Sequence, residues 1–160
     1  MDIKNLKVGD VVLTYKGAII VIDSIYSRDG DEFVNIKGNG FGSIEGTNVS
    51  ELRDVLLTEP MVDYIFKNNG LEKERFCTNM YSNGTMTSVQ VRDPFDFSVR
   101  PVNYITTLRE FKSELERIIG TGIQFDLKKI ETYLSNFDKP LFNNRTTCGN
   151  PGSYSQLYGF

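Results

Sequence analysis

The sequence predicts an α+β domain: a small SH3-like β-barrel or curled antiparallel sheet with a short inserted helix, a second hairpin, two C-terminal helices and an extended tail. Three observations predict it. Residues 6–56 carry short runs rich in β-branched side chains, divided by glycine-containing turns. Residues 58–70 and 107–137 switch to apolar spacings of three and four, the period of a helix with one buried face. Between them, Asn83-Gly84 separates two further β-like runs and is a strong hairpin sequence. One domain over 1–137 follows, barrel-like over 1–56, helical over 58–70, hairpin and strand over 75–100, and helical over 107–137. Residues 138–160 form an extended C-terminal arm.

The elements follow in order. Residues 11–15 and 18–25 read as strands joined through Lys16-Gly17, and the turn at residues 28–31 leads into a strand over 32–37. Gly38, Gly40, Gly42 and Gly46 then suit a flexible β connection. Thr58 is placed to cap a helix, and Pro60 is tolerated in a first turn whose amides lack helical partners. Val62, Ile65 and Phe66 make its apolar stripe, and Asn69-Gly70 ends it. So short a helix is marginal alone, so its stripe must pack on the barrel. Residues 75–82 and 85–92 form the second hairpin. Asp93-Pro94 breaks the chain before an alternating strand with Phe95, Phe97 and Val99 on one face, ending at Pro101.

Thr107 and Glu110 have the spacing of a capping box, and Leu108, Phe111, Leu115, Ile118 and Ile119 form a core stripe closed by Gly120. Asp126 caps the next helix, with Phe125 and Ile130 spaced as a hydrophobic staple. Leu127, Ile130, Leu134 and Phe137 share its face, and Pro140 stops it. The arm matches no period, and a compact domain has little use for so long a structureless segment unless it is functional.

Several chemistries are excluded. The 160 residues contain no histidine, which removes Ser-His-Asp and Cys-His triads, histidine-ligated zinc and the commonest base near neutral pH. Cys77 and Cys148 cannot build a structural zinc site by themselves and read as free thiols. The glycine run at 38–46 lacks the Gly-Lys-Ser/Thr of a phosphate loop, and residues 28–32 lack the spacing of a calcium loop. Asp93 and Asp96 are the nearest approach to a carboxylate pair. The net charge of −3 and pI near 5.1 offer no global basic surface to nucleic acid. Arg109, Lys112, Arg117, Lys128 and Lys129 are diluted by Glu110, Glu114, Glu116 and Glu131 into a mixed face. Tyr15, Tyr26 and Tyr81 are candidates to stack on bases, with half-buried packing as the competing role. There is no apolar run long enough for a membrane helix and no secretory leader pattern, so cytoplasmic residence in the producing cell is expected.

Val8-Gly9-Asp10, then Leu57-Thr58-Glu59 through Asn69-Gly70-Leu71-Glu72-Lys73, then Tyr104 and Leu108 stand in an order that resembles a group of small proteins of Bacteroidetes bacteria and their phages. That group begins with a barrel-like segment, continues with a "LTEE-L---GFEK" helix and ends with a helix opening near "Y-H-LQNL". Here Thr106 replaces the group's histidine and Arg109 its glutamine, and residues 126–160 have no counterpart. The resemblance implies a phage or mobile-element setting rather than an activity, and virion association is a second expected location beside the cytoplasm. The expected function is a non-enzymatic interaction or structural protein, without cofactor or metal, that docks on a larger protein assembly through the arm. Tyr154, Leu157, Tyr158 and Phe160 are its anchors. The alternative is a nucleic-acid-binding or regulatory small-barrel module.

Overall fold

The computed structural model describes residues 5–38, 41–83, 86–101, 103–135 and 138. β-branched runs become β1 (Val11–Thr14), β2 (Ile19–Arg28), β3 (Asp31–Gly38), β4 (Phe41–Asn48) and β5 (Leu52–Asp54). They form one antiparallel sheet in the order β4-β3-β2-β1-β5. Among the described residues no ladder joins β4 to β5, so the described sheet is open between those two edges. Asp29 and Gly30 connect β2 to β3 with φ of 53° and 84°, the positive pair that a two-residue turn matching strand twist requires.

The glycine run, expected as a flexible β connection, is for the most part β4. Its ladder with β3 uses backbone groups that glycine supplies as well as any residue. Between the pairs Val34↔Thr47 and Ile36↔Ile44, β4 has an extra residue, and Gly46 there has φ 76°. That is a glycine bulge, and it bends the sheet.

Alternation along β1 buries side chains on both faces. Val11 and Leu13 join the main core with α1 (Glu59–Asn68), the small sheet and α3 (Leu108–Ile119). Val12 joins Ile20, Ile22, Val34, Ile36, Val49 and Leu52 in a second core. Among the described residues, that second core draws only on the sheet, the 3-10 turn at Val49–Glu51 and the N-terminal segment. The sheet therefore covers one face by its own curvature and the other with helices.

Thr58 caps α1 by accepting from the Met61 amide at 3.3 Å, and Pro60 stands in the first turn. Met61, Val62, Ile65 and Phe66 are buried, with the Phe66 ring edge-on to Phe111 at 5.5 Å. One further turn, α2 (Lys73–Phe76), takes Arg75 and Phe76 out of the expected strand. Next come β6 (Cys77–Ser82) and β7 (Thr87–Val91), a two-stranded sheet of their own. Ser82 faces Thr87, and the Asn83 side chain accepts from the Met86 amide at 3.0 Å. The Asn83 amide donates to the Met86 carbonyl at 3.0 Å, and Gly84 of the expected Asn83-Gly84 turn lies outside the described residues. β7 is extended on its other edge by a bridge from Val89 to Ile105.

Residues 93–100 form no strand. Asp93 accepts from the Phe95 amide at 2.8 Å and Asp96 from the Ser98 amide and hydroxyl. Two aspartate-anchored turns satisfy the backbone locally, so the alternation of Phe95, Phe97 and Val99 has no ladder to join.

Thr107 caps α3, and Gly120 closes it at φ 76°. Leu108, Phe111 and Leu115 are fully buried. The last helix, α4 (Leu127–Thr132), is capped by Asp126 but stops short of the expected 137. Tyr133 and Leu134 donate to Ile130 and Glu131 in tighter i→i−3 bonds, and the Thr58 hydroxyl donates to the Tyr133 carbonyl at 2.6 Å. The helix ends where its last carbonyls find those partners. Ile130 and Leu134 reach the core, and Phe137 lies outside the described residues.

Candidate functional site

Three distant segments meet at Arg109. Before β1, Lys7 and Asp10 close a tight turn: the Lys7 amide donates to Asp10 Oδ2 at 2.8 Å and the Asp10 amide to the Lys7 carbonyl at 3.1 Å. Gly9 occupies it with φ 91°, a value that costs glycine little. Asp10 is only 4% exposed. Arg109, in the first turn of α3, sends Nε and Nη2 to the Asp54 carboxylate at 2.5 and 3.4 Å. Its Nη1 donates to the Asn5 carbonyl at 3.3 Å and lies 3.7 Å from Asp10 Oδ2. A planar guanidinium serves two carboxylates and a carbonyl at once, which an ammonium cannot do with fixed geometry. Burial pushes the Asp10 carboxyl above 3.8, against the pull of the Lys7 amide and of Arg109.

This junction floors a cleft of about 630 Å³, within the range of ligand sites. Tyr104, Glu110, Ser113 and Glu114 also line it. The Lys7 ammonium donates to Ser113 Oγ at 3.2 Å. Lys7 is exposed, whereas burial is what commonly turns a lysine into a base for a neighbouring serine. Glu114 is bound to Arg117, and Glu110 accepts from the Thr107 hydroxyl at 2.8 Å. Among the described residues that line the cleft, Asp10, Glu110 and Glu114 outnumber Lys7 and Arg109 by one acid.

Tyr104 continues the cleft onto the outer face of the small sheet. Its ring lies 5.4 Å from that of Tyr81 at 46°. Asn79 donates to Gln90 at 3.0 Å. Exposed Phe95, Phe97 and Val99 follow on the loop that leaves β7.

The residues singled out in the sequence are dispersed. Tyr154, Leu157, Tyr158 and Phe160 lie outside the described residues, as does Cys148. Asp138, first residue of the expected arm, is fully buried: it accepts from Arg53 Nη1, the Leu56 amide and the Ser135 hydroxyl. Asp93 and Asp96 are turn anchors, and hydrogen bonds from Ser98 lower the Asp96 carboxyl, the wrong direction for a general acid. Burial raises the Cys77 thiol, which disfavours a reactive thiolate. Tyr15 is exposed in the turn after β1 and Tyr81 on β6, while Tyr26 stacks on Phe33 at 5.9 Å beneath Arg28. They form no common platform. The Tyr81–Tyr104 pair and the Asp10–Arg109–Asp54 junction were not foreseen; no periodicity relates positions so far apart.

No family model, curated protein or solved structure matches the chain. Among the described residues, no helix is long and apolar enough to cross a membrane, and no group of three potential metal ligands occurs.

Proposed function

We propose that this protein is a non-enzymatic interaction protein on an SH3-like small-barrel scaffold, encoded by a phage or mobile element, that docks on a larger protein assembly. The carrying observation is the placing of exposed apolar surface. Of the seven large apolar side chains exposed among the described residues, Tyr81, Phe95, Phe97, Val99 and Tyr104 all fall between positions 81 and 104. Exposed apolar side chains concentrated on one stretch of chain are of the kind that a protein interface uses. Tyr154, Leu157, Tyr158 and Phe160 add anchors of the same chemistry from the arm. The barrel reading draws support from β5 returning beside β1 and from the bulges that bend β2, β3 and β4.

Photo-crosslinking amino acids at Phe97 and at Tyr158, in chain expressed in the producing cell, test the reading, with Asp23 on the large sheet as control. One protein captured from both positions and not from Asp23 is the expected result. Crosslinks to nucleic acid, or none beyond the control, would overturn it.

A further inference from the structure

The geometry points to the Tyr104 cleft as the recognition pocket for a single cationic side chain, arginine above all, carried on an extended segment of the partner protein. The inference deepens the interaction reading and rests on it. Exposed aromatic and acidic groups converge there. Tyr104 is 43% exposed and packs its ring against that of Tyr81 at 5.4 Å, so it offers an aromatic surface on which a guanidinium can lie flat.

The charge balance selects the ligand's sign. Arg109 is clamped to Asp54 and Asp10, and Arg117 to Glu114, while the Lys7 ammonium sits within the field of Asp10. The remaining acid is Glu110, exposed at the first turn of α3, whose described partner is the Thr107 hydroxyl. A carboxylate with oxygen lone pairs to spare, lining the same cleft as a tyrosine ring, is complementary to a planar cation. An incoming phosphate or carboxylate would meet the excess acid instead. The cleft volume of about 630 Å³ admits an arginine with its flanking backbone, and it opens onto the same surface as Tyr81.

The test is a titration of the full chain by backbone amide NMR with a capped Gly-Arg-Gly peptide, alongside capped Gly-Gln-Gly and Gly-Glu-Gly. The expected outcome is a set of shifts confined to the neighbourhood of Tyr104, Glu110 and Ser113, caused by the arginine peptide alone. Glu110→Gln keeps the capping geometry and removes only the charge, and should weaken binding about tenfold. Tyr104→Ala should abolish the shifts and Tyr104→Phe should retain them. Raising salt from about 0.01 to about 1 M shortens the screening length from about 30 to about 3 Å and should weaken binding too. Equal shifts from the glutamine peptide, or none at the cleft with any peptide, would overturn the proposal. Either failure leaves crosslinks from Phe97 and Tyr158 as they were, so this inference and the interaction reading fail separately.

Discussion

Asp138 shows how much a single side chain can hold. It is fully buried at the end of the described chain, yet it ties Arg53 of β5, the Leu56 amide and Ser135 into one junction. Arg53 keeps about a third of its side chain in solvent, so Asp138→Ala chiefly leaves the Leu56 amide and the Ser135 hydroxyl without their acceptor and should cost about 1–3 kcal/mol in urea unfolding. The pH dependence has a definite sign. Burial raises the Asp138 carboxyl above 3.8, outweighing Ser135, Leu56 and Arg53. The folded state then binds this proton more tightly than the unfolded state, and the stability it contributes is lost as pH rises through the folded value. The stability of wild type over Asp138→Ala should shrink between about pH 4 and about pH 7. If it grows instead, attraction to Arg53 outweighs burial.

Elements differ in how far local chemistry decides them. α1 is specified at both ends, by Thr58 before it and Gly70 after it. Thr58 also donates to the Tyr133 carbonyl, so one hydroxyl starts α1 and helps to end α4. Thr58→Ala should therefore lose about 1–2 kcal/mol, and Thr58→Ser much less, read from denaturant midpoints. Residues 93–100 teach the converse. Strict alternation there predicts a strand, but Asp93 and Asp96 close turns first and Phe97 is left 84% exposed. Phe97→Ser should leave stability within about 0.5 kcal/mol. A strand with a buried face would lose far more.

At the scale of the molecule, Arg109 is the tie between sheet and helix layer, joining the start of β1, the end of β5 and the first turn of α3. Arg109→Gln should destabilise by about 3 kcal/mol, because Asp10 stays buried without its cation. A double-mutant cycle with Asp54→Asn should show coupling of at least about 1 kcal/mol between residues 55 positions apart. Additive effects would mean that the two charges stabilise the fold independently. By itself, the sequence determined what depends on near neighbours: the caps at Thr58, Thr107 and Asp126, the stops at Gly70 and Gly120, the Asp29-Gly30 turn and the apolar stripes of α1 and α3. Each is settled by groups within a turn or two of chain, where hydrogen bonds and sterics act at short range. Tertiary structure decided the rest. β4 exists because β3 offers a ladder to a glycine-rich partner, α4 stops where Thr58 reaches across to it, and the cleft exists only where Asp10, Asp54 and Arg109 are brought together. Nothing local distinguishes those three charges from solvated ones, because their role comes from burial and mutual proximity, which only the folded chain supplies.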